Sequence, residues 1–167
     1  MIKVKIFFAI VTLLFTSQST FAQNEVIRER NSLYGISEFG VVVNIEKPSS
    51  LQEITLSTDS VRTLIMEELE DLPVTILEDE TLRKSDQLPI LHLHINIMKA
   101  TLGAYPFTAE LKFYQPVKLP LNNDVQTMGS TWHDSFIGVV TPDLIDFIAA
   151  QSSRLAGNFS IDFNSVN

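Results

Sequence analysis

Three histidines are the residues of this chain whose types and spacing best suit chemistry. His92 and His94 lie two residues apart in a segment where apolar and polar residues alternate, and His133 lies in a later segment of the same kind. If the apolar faces of neighbouring strands coincide, Glu110 on the middle strand lies between His94 and His133. His92 shares that polar face. Imidazole and carboxylate groups are ligands that zinc and copper accept, so these four residues are candidates for a metal site.

A polar sheet face exposed to solvent explains the same four residues without a metal. His94 and His133 would stand two strand spacings apart, about 9.6 Å at roughly 4.8 Å for each spacing, so one ion would reach both only through extended side chains. Asp134, the neighbour of His133, would join them only if a bulge turned it to that face. We therefore expect no metal and no cofactor, and the metal site stays an alternative.

The segment from Ser130 to Asp134 holds the residue types of a hydrolytic triad. Neighbouring residues of a strand point to opposite faces, however, and the chain has no Gly-x-Ser-x-Gly turn. The six glycines also never form the Gly-x-Gly-x-x-Gly pattern of a dinucleotide site. The sequence therefore predicts a protein that is not an enzyme.

Two further groups of residues allow both a structural and a functional interpretation. The acidic residues between positions 67 and 80 could form a calcium or basic-partner patch, but the calcium-loop spacing is missing, so a solvated helix face and loop is expected. Trp132 and Met128 could line an apolar ligand pocket between the sheet and a helix. Aromatic and methionine residues at strand spacing more often fill a core, so we expect both to pack under the carboxy-terminal helix.

The elements that must position these residues are three antiparallel strands between residues 89 and 140. Alternation of apolar and polar residues marks the first strand at 91–98 and the second at 107–114. A third strand is predicted at 125–137. It follows a turn at 119–124, which contains a proline and two asparagines.

A strand, a helix and a second strand are predicted before this meander. Alternation places the first strand at 39–45, and helical spacing of apolar residues predicts a helix from Ser57 or Thr58 to just before Pro73. The short strand at 74–77 is expected to run parallel to the first, because a strand-helix-strand order favours a right-handed crossover. A charged loop at 78–88 leads into the meander.

One long helix is predicted after the meander. Thr141, Pro142 and Asp143 are typical of a helix start, and an apolar stripe that begins at Leu144 continues to about residue 164. The predicted fold class is α+β: a single domain with a mixed, mostly antiparallel five-stranded sheet in the order β-α-β-β-β-β-α and two helices packed on one face.

Residues 1–22 are predicted to be a secretory signal peptide. Lys3 and Lys5 precede an apolar run, and Ala22 provides a small residue for cleavage after it. The run is too short for a bilayer span, which needs roughly 20 apolar residues, so no membrane span is expected after cleavage. Residues 23–38 are polar and are predicted to be a flexible lead-in, which leaves the single domain to 39–167.

Composition excludes several classes of protein. The chain has no cysteine, so disulfides, thiolate chemistry and a lipidation cysteine after the signal are excluded. Two of its 12 Lys and Arg residues lie in the signal segment, which leaves 10 against 20 Asp and Glu residues. Such an acidic surface repels phosphate backbones, so no nucleic-acid partner is expected. A periplasmic or secreted location is predicted.

Several short segments resemble a group of uncharacterised exported bacterial proteins. They are the helix start near Ser57, the strand at 72–77, the segments 89–93 and 113–117, Thr131-Trp132 followed by Gly138, and the end of the chain from Phe159. These motifs are structural and imply no activity. The element order is similar to that of envelope modules such as the amino-terminal domain of the Tol-Pal propeller protein and the curli-secretion lipoproteins. The absent lipidation cysteine differs from the lipoproteins.

These observations predict a non-enzymatic binding or accessory module of the bacterial cell envelope, with an envelope protein or component as its partner. The alternative is a carrier of a small ligand or metal, which would use His94, Glu110 and His133 on the polar face or an apolar pocket near Trp132. The edges of the sheet carry few protecting residues, so a monomer or a weak homodimer is expected.

Overall fold

The computed structural model describes residues 24–51 and 56–167, so the predicted signal peptide and its cleavage site after Ala22 lie outside the described residues. The elements, in chain order, are α1 (24–31), β1 (Glu38–Glu46), α2 (Thr58–Leu69), β2 (Thr75–Leu77), α3 (Asp79–Leu82), β3 (Ile90–Ile97), β4 (Tyr105–Leu119), β5 (Asn122–Val140) and α4 (Asp146–Asn164). Among the described residues, no helix is long and apolar enough to cross a bilayer.

The five strands form one mixed sheet in the order β2-β1-β3-β4-β5. β1 pairs in parallel with both β2 and β3, whereas β3, β4 and β5 form the predicted antiparallel meander. The predicted α+β class and the parallel crossover from β1 to β2 are therefore confirmed. α2 begins as predicted, because the Ser57 hydroxyl accepts a hydrogen bond from the Ser60 N–H and the Ser60 side chain caps the Ser57 N–H in return.

The core lies between the inner face of the sheet and the two long helices, α2 and α4. Aromatic rings fill its centre: Phe39 of β1 meets Phe113 of β4 at 5.5 Å between ring centroids and Phe159 of α4 at 5.7 Å. Edge-to-face contacts of this kind stabilise a core beyond the area that they bury. All three rings are fully buried. The two long helices therefore cover one face, as predicted.

Several elements differ in extent from the sequence predictions, and β4 is longer than predicted, from Tyr105 to Leu119. The turn predicted at 119–124 has only two residues, because Leu119 already pairs with Asn122, and β5 extends to Val140. The charged loop at 78–88 contains the short helix α3. Leu144 is 55% exposed, because it lies in a 3-10 turn ahead of α4 and is therefore outside the buried stripe.

Residues 23–38 were predicted as a flexible lead-in, but the described part of this segment, 24–38, is part of the fold. Residues 24–31 form helix α1, and Leu33 behind it is fully buried in the core. Arg30 pairs with Asp162 of α4 at 2.7 Å, and the Ser32 hydroxyl donates to the Thr131 carbonyl of β5 at 3.1 Å. The prediction was wrong because polar contacts, and not an apolar stripe, attach α1 to the rest of the protein. Val26 and Ile27 are 49% and 52% exposed, and Leu33 lies beyond the end of the helix.

Candidate functional site

The candidate residues line the outer face of the sheet, which we define as the face opposite α2 and α4. Register pairs His94 of β3 directly with Glu110 of β4, as predicted, and pairs His92 with Lys112. On the other side, however, Lys112 is opposite His133, and Glu110 is opposite Ser135. The predicted pairing of Glu110 with His133 is therefore wrong by two residues. A shift of two keeps every side chain on its face, so the alternation pattern could not detect it.

The two histidines of β3 have separate partners on this face. The His92 Nε2 atom lies 3.2 Å from the Asn44 Nδ2 atom, and the His94 Nε2 atom lies 3.4 Å from the Glu46 Oε1 atom. The two imidazole rings stack with their centroids 6.3 Å apart. Among the residues that the structure describes, no group of three or more His, Asp and Glu side chains is arranged to hold a metal ion.

Lys112 and Glu110 form an ion pair on the outer face. The Lys112 Nζ atom donates to the Glu110 Oε2 atom at 2.7 Å. This hydrogen bond lowers the pKa of Glu110 and raises the pKa of Lys112, so both side chains stay charged. Burial is the main reason why the pKa of His92 is lowered, and the positive charges of His94 and Lys112 add to the effect. We call His92, His94, Glu110 and Lys112 the polar cluster.

An apolar patch lies next to the polar cluster on the same face. Ile137 and Val139 of β5 are 77% and 66% exposed, and Val139 pairs with Pro106 of β4. The Pro106 carbonyl in turn accepts a hydrogen bond from the N–H of Met98, which is 54% exposed. We define these four residues, Met98, Pro106, Ile137 and Val139, as the apolar patch.

Trp132 is a core residue, as expected. Its side chain is 3% exposed, its ring packs edge-to-face on Phe159 at 5.0 Å, and its Nε1 atom donates to Asp162 at 3.0 Å. A cleft of about 280 Å³ lies beside it, and its walls are mixed: they include the apolar Val26 and Ile161 as well as the polar Glu29, His133 and Asp134. Met128 was expected under the carboxy-terminal helix; it instead pairs with Pro116 in the β4–β5 hairpin.

The candidate triad residues His133, Asp134 and Thr131 each form hydrogen bonds with a different part of the protein and not with one another. The His133 Nδ1 atom lies 2.8 Å from the carboxylate of Glu29, a residue of α1 that the sequence did not indicate. Asp134 points away and accepts hydrogen bonds from Asn158 of α4 and from the Ser135 N–H. Thr131 accepts from the Gln115 side chain. His133 thus serves to attach α1 to the edge of the sheet.

The acidic residues between 67 and 80 contribute to contacts within the protein. Asp79 of α3 binds Arg62 of α2 at 2.7 Å, and Glu68 accepts from the Ser153 hydroxyl of α4 at 2.6 Å. Glu80 pairs with Lys84 at 3.2 Å. These three carboxylates therefore have separate partners, and among the described residues no group of three acidic or histidine side chains is arranged to hold a metal ion.

Comparisons with known proteins add little to this description. No family model matches the chain, and no curated protein matches it. Among solved structures, a PelC dodecamer from Paraburkholderia phytofirmans is 10% identical, covers 77% of this chain and 89% of that chain, and has a TM-score of 0.40. A minor lipoprotein from Acinetobacter baumannii is 9% identical over 75% of this chain and 94% of that chain, with a TM-score of 0.25.

Likeness at this level carries no argument about function. The comparisons also show no link to the Tol-Pal propeller protein or the curli-secretion lipoproteins. The resemblance by element order therefore stays a prediction.

Proposed function

We propose that this protein is a non-enzymatic binding module of the bacterial cell envelope, exported by its amino-terminal segment, that holds a partner protein on the outer face of its sheet. The observation that carries the proposal is the composition of that face. The apolar patch is exposed, and the charged and polar side chains of the polar cluster lie directly beside it.

This arrangement has the anatomy of a protein interface. Exposed apolar residues that lie together mark interaction sites, and a polar rim around them sets the orientation of the partner. Lys112 and Glu110 are both charged and hydrogen-bonded to each other, so they present a fixed pattern of one positive and one negative group. His92 and His94 extend the polar cluster along β3.

The test is site-specific photo-crosslinking in the envelope of the producing cell. A photoreactive amino acid replaces Met98 in one variant, and a matched control carries it at Ile161 of α4, which is 69% exposed on the helical side. We expect an adduct with another protein from position 98 and none from position 161. Adducts from position 161 alone, or from neither position, would refute the proposal.

Native mass spectrometry of protein purified without chelator tests the carrier alternative. We expect the mass of the bare chain. A mass shift equal to a metal ion, lost in His94→Ala, would instead assign the polar cluster to metal binding. A mass shift equal to a small molecule that persists in this variant would point to a ligand elsewhere, such as the cleft beside Trp132.

A further inference from the structure

β5 forms one edge of the sheet, and the amino-terminal segment contacts it around Thr131 and His133, in the middle of the strand. Helix α1 lies against it where the Ser32 hydroxyl donates to the Thr131 carbonyl and where Glu29 binds His133 at 2.8 Å. Beyond that point β5 continues to Val140, and its only strand partner among the described residues is β4. The edge from Ser135 to Val140 is therefore open.

The pairing pattern shows which main-chain groups face this open edge. Met98 donates its N–H to the Pro106 carbonyl, so the even-numbered residues of this part of β4 face β3 and the odd-numbered ones face β5. The odd-numbered residues of β4 pair with even-numbered residues of β5, such as Phe107 with Gly138. Ile137 and Val139 consequently direct their N–H and C=O groups outward.

These outward groups lack a partner in the described part of the chain. The N–H of Ser135 is satisfied by the Asp134 carboxylate at 2.8 Å, but no hydrogen bond reaches the outward groups of Ile137 or Val139. The segment Ser135–Val140 also contains no charge and no proline, the two features that usually prevent edge strands from pairing.

We propose that this edge pairs antiparallel with the same edge of a second copy, so that two five-stranded sheets join into one. Placing the two-fold axis at Gly138 brings Ile137 opposite the partner's Val139, and these residues exchange both hydrogen bonds on each side of the axis. The two copies of Gly138 then face each other in a non-hydrogen-bonded pair, where strands approach most closely and a side chain is absent.

Charge favours a second copy at this edge over other contacts between copies. The chain has a net charge of −8, so most contacts between two copies would be repulsive, whereas the six residues from Ser135 to Val140 are uncharged. The side chains of Ile137 and Val139, 77% and 66% exposed, also become cross-strand neighbours in the pair. Dimerisation would thus join the apolar patches of the two copies into one surface. The proposed function concerns binding by one copy, and this inference adds self-association to it.

The test compares self-association of the wild type with two variants by sedimentation equilibrium. Val139→Pro removes an outward N–H that β4 does not use, so the fold should persist while the dimer dissociation constant rises at least about tenfold. Val139→Thr keeps the N–H and the branched side chain and should dimerise like the wild type. Thermal unfolding of each variant confirms that it is folded.

Amide hydrogen exchange locates the interface. We expect the amides of Ile137 and Val139 to be protected at high protein concentration and to exchange quickly after dilution. A protein that stays monomeric up to about 100 µM, or a dimer that survives Val139→Pro, would overturn the proposal. Protection of these amides only after envelope extract is added would overturn it as well, because the edge would then belong to another protein. The Met98 crosslink is independent of these outcomes, so the two proposals fail separately.

Discussion

Single residues of this protein owe their roles to contacts with distant parts of the chain. Trp132 fills the core under α4, and its indole N–H is satisfied by Asp162, thirty residues later. His133, its immediate neighbour, points to the other face and binds Glu29 of α1. Adjacent residues thus serve the core and the surface, as the alternation of a strand requires.

Trp132→Ala should destabilise the fold by about 2 to 5 kcal/mol, because it opens a cavity beside Phe159 and leaves Asp162 without one hydrogen bond. Ile161→Ala is the matched control on α4, since its side chain is 69% exposed, and it should change stability by less than about 0.5 kcal/mol. Urea unfolding measures both. Equal midpoints for wild type and Trp132→Ala would contradict the core assignment.

The pKa of His92 predicts a dependence of stability on pH. Burial lowers this pKa in the folded state, so the unfolded chain binds a proton more readily near and below the ordinary value of about 6.5. The stabilising effect of the neutral ring is complete above that value and is lost as pH falls through it towards the lowered pKa.

When pH falls from about 7.5 to about 5.5, the melting temperature of His92→Gln should therefore fall by less than the melting temperature of the wild type. Asn96→Gln, on the same face of β3, is the non-titrating control and should keep the wild-type dependence. An unchanged pH dependence in His92→Gln would show that other groups cause it.

α3 packs closely against β1 at Gly40. A Cβ atom placed on Gly40 would lie 2.2 Å from the nearest side-chain atom of Leu82, so a larger residue fits there only if the Leu82 side chain or α3 moves. Gly40 is also the last residue of β1 that pairs with β2. The glycine therefore permits the close approach of a helix to the sheet.

Gly40→Ala should cost about 1 to 3 kcal/mol through this overlap. If the overlap with Leu82 is the cause, the double variant Gly40→Ala with Leu82→Ala should lose less stability than the sum of the two single variants. A double-mutant cycle from urea unfolding measures the coupling. If the losses of stability are additive, the overlap with Leu82 is not the cause of the loss in Gly40→Ala.

At the scale of the whole molecule, one core connects all layers. Its buried residues extend from Leu33, behind α1, to Phe163 of α4, and include residues of α2 and of every long strand. Elements that share a core of this kind unfold together. The amino-terminal segment belongs to this unit, since Leu33 is fully buried.

We expect a single unfolding transition. Trp132 is the only tryptophan, so its fluorescence reports the core, and far-ultraviolet circular dichroism reports the helices and the sheet. The two transitions in urea should coincide, and Leu33→Ala should move both to lower urea together. An earlier transition by circular dichroism alone would mean that α1 unfolds separately.

The local pattern of the sequence was sufficient for the long strands and for α2 and α4, but not for the helices α1 and α3. Alternation identified β1, β3, β4 and β5 and assigned the inner and outer residues of β1, β3 and β4 correctly, because the two-residue period of a strand is a property of neighbouring residues. The strand-helix-strand order likewise predicted the parallel pairing of β1 and β2. The polar character of the outer face, with His92, His94 and Glu110, was also predictable.

Only the tertiary structure decided which of these residues meet. The register of β4 and β5 depends on a two-residue turn and on two irregularities, one between Lys118 and Leu119 and one between Phe113 and Tyr114, so Lys112 and not Glu110 lies opposite His133. The place of α1 depends on contacts with residues about a hundred positions away, such as Glu29 with His133. The sequence by itself determined periodicity and charge, which are local, while register and long-range pairing are properties of the packed whole.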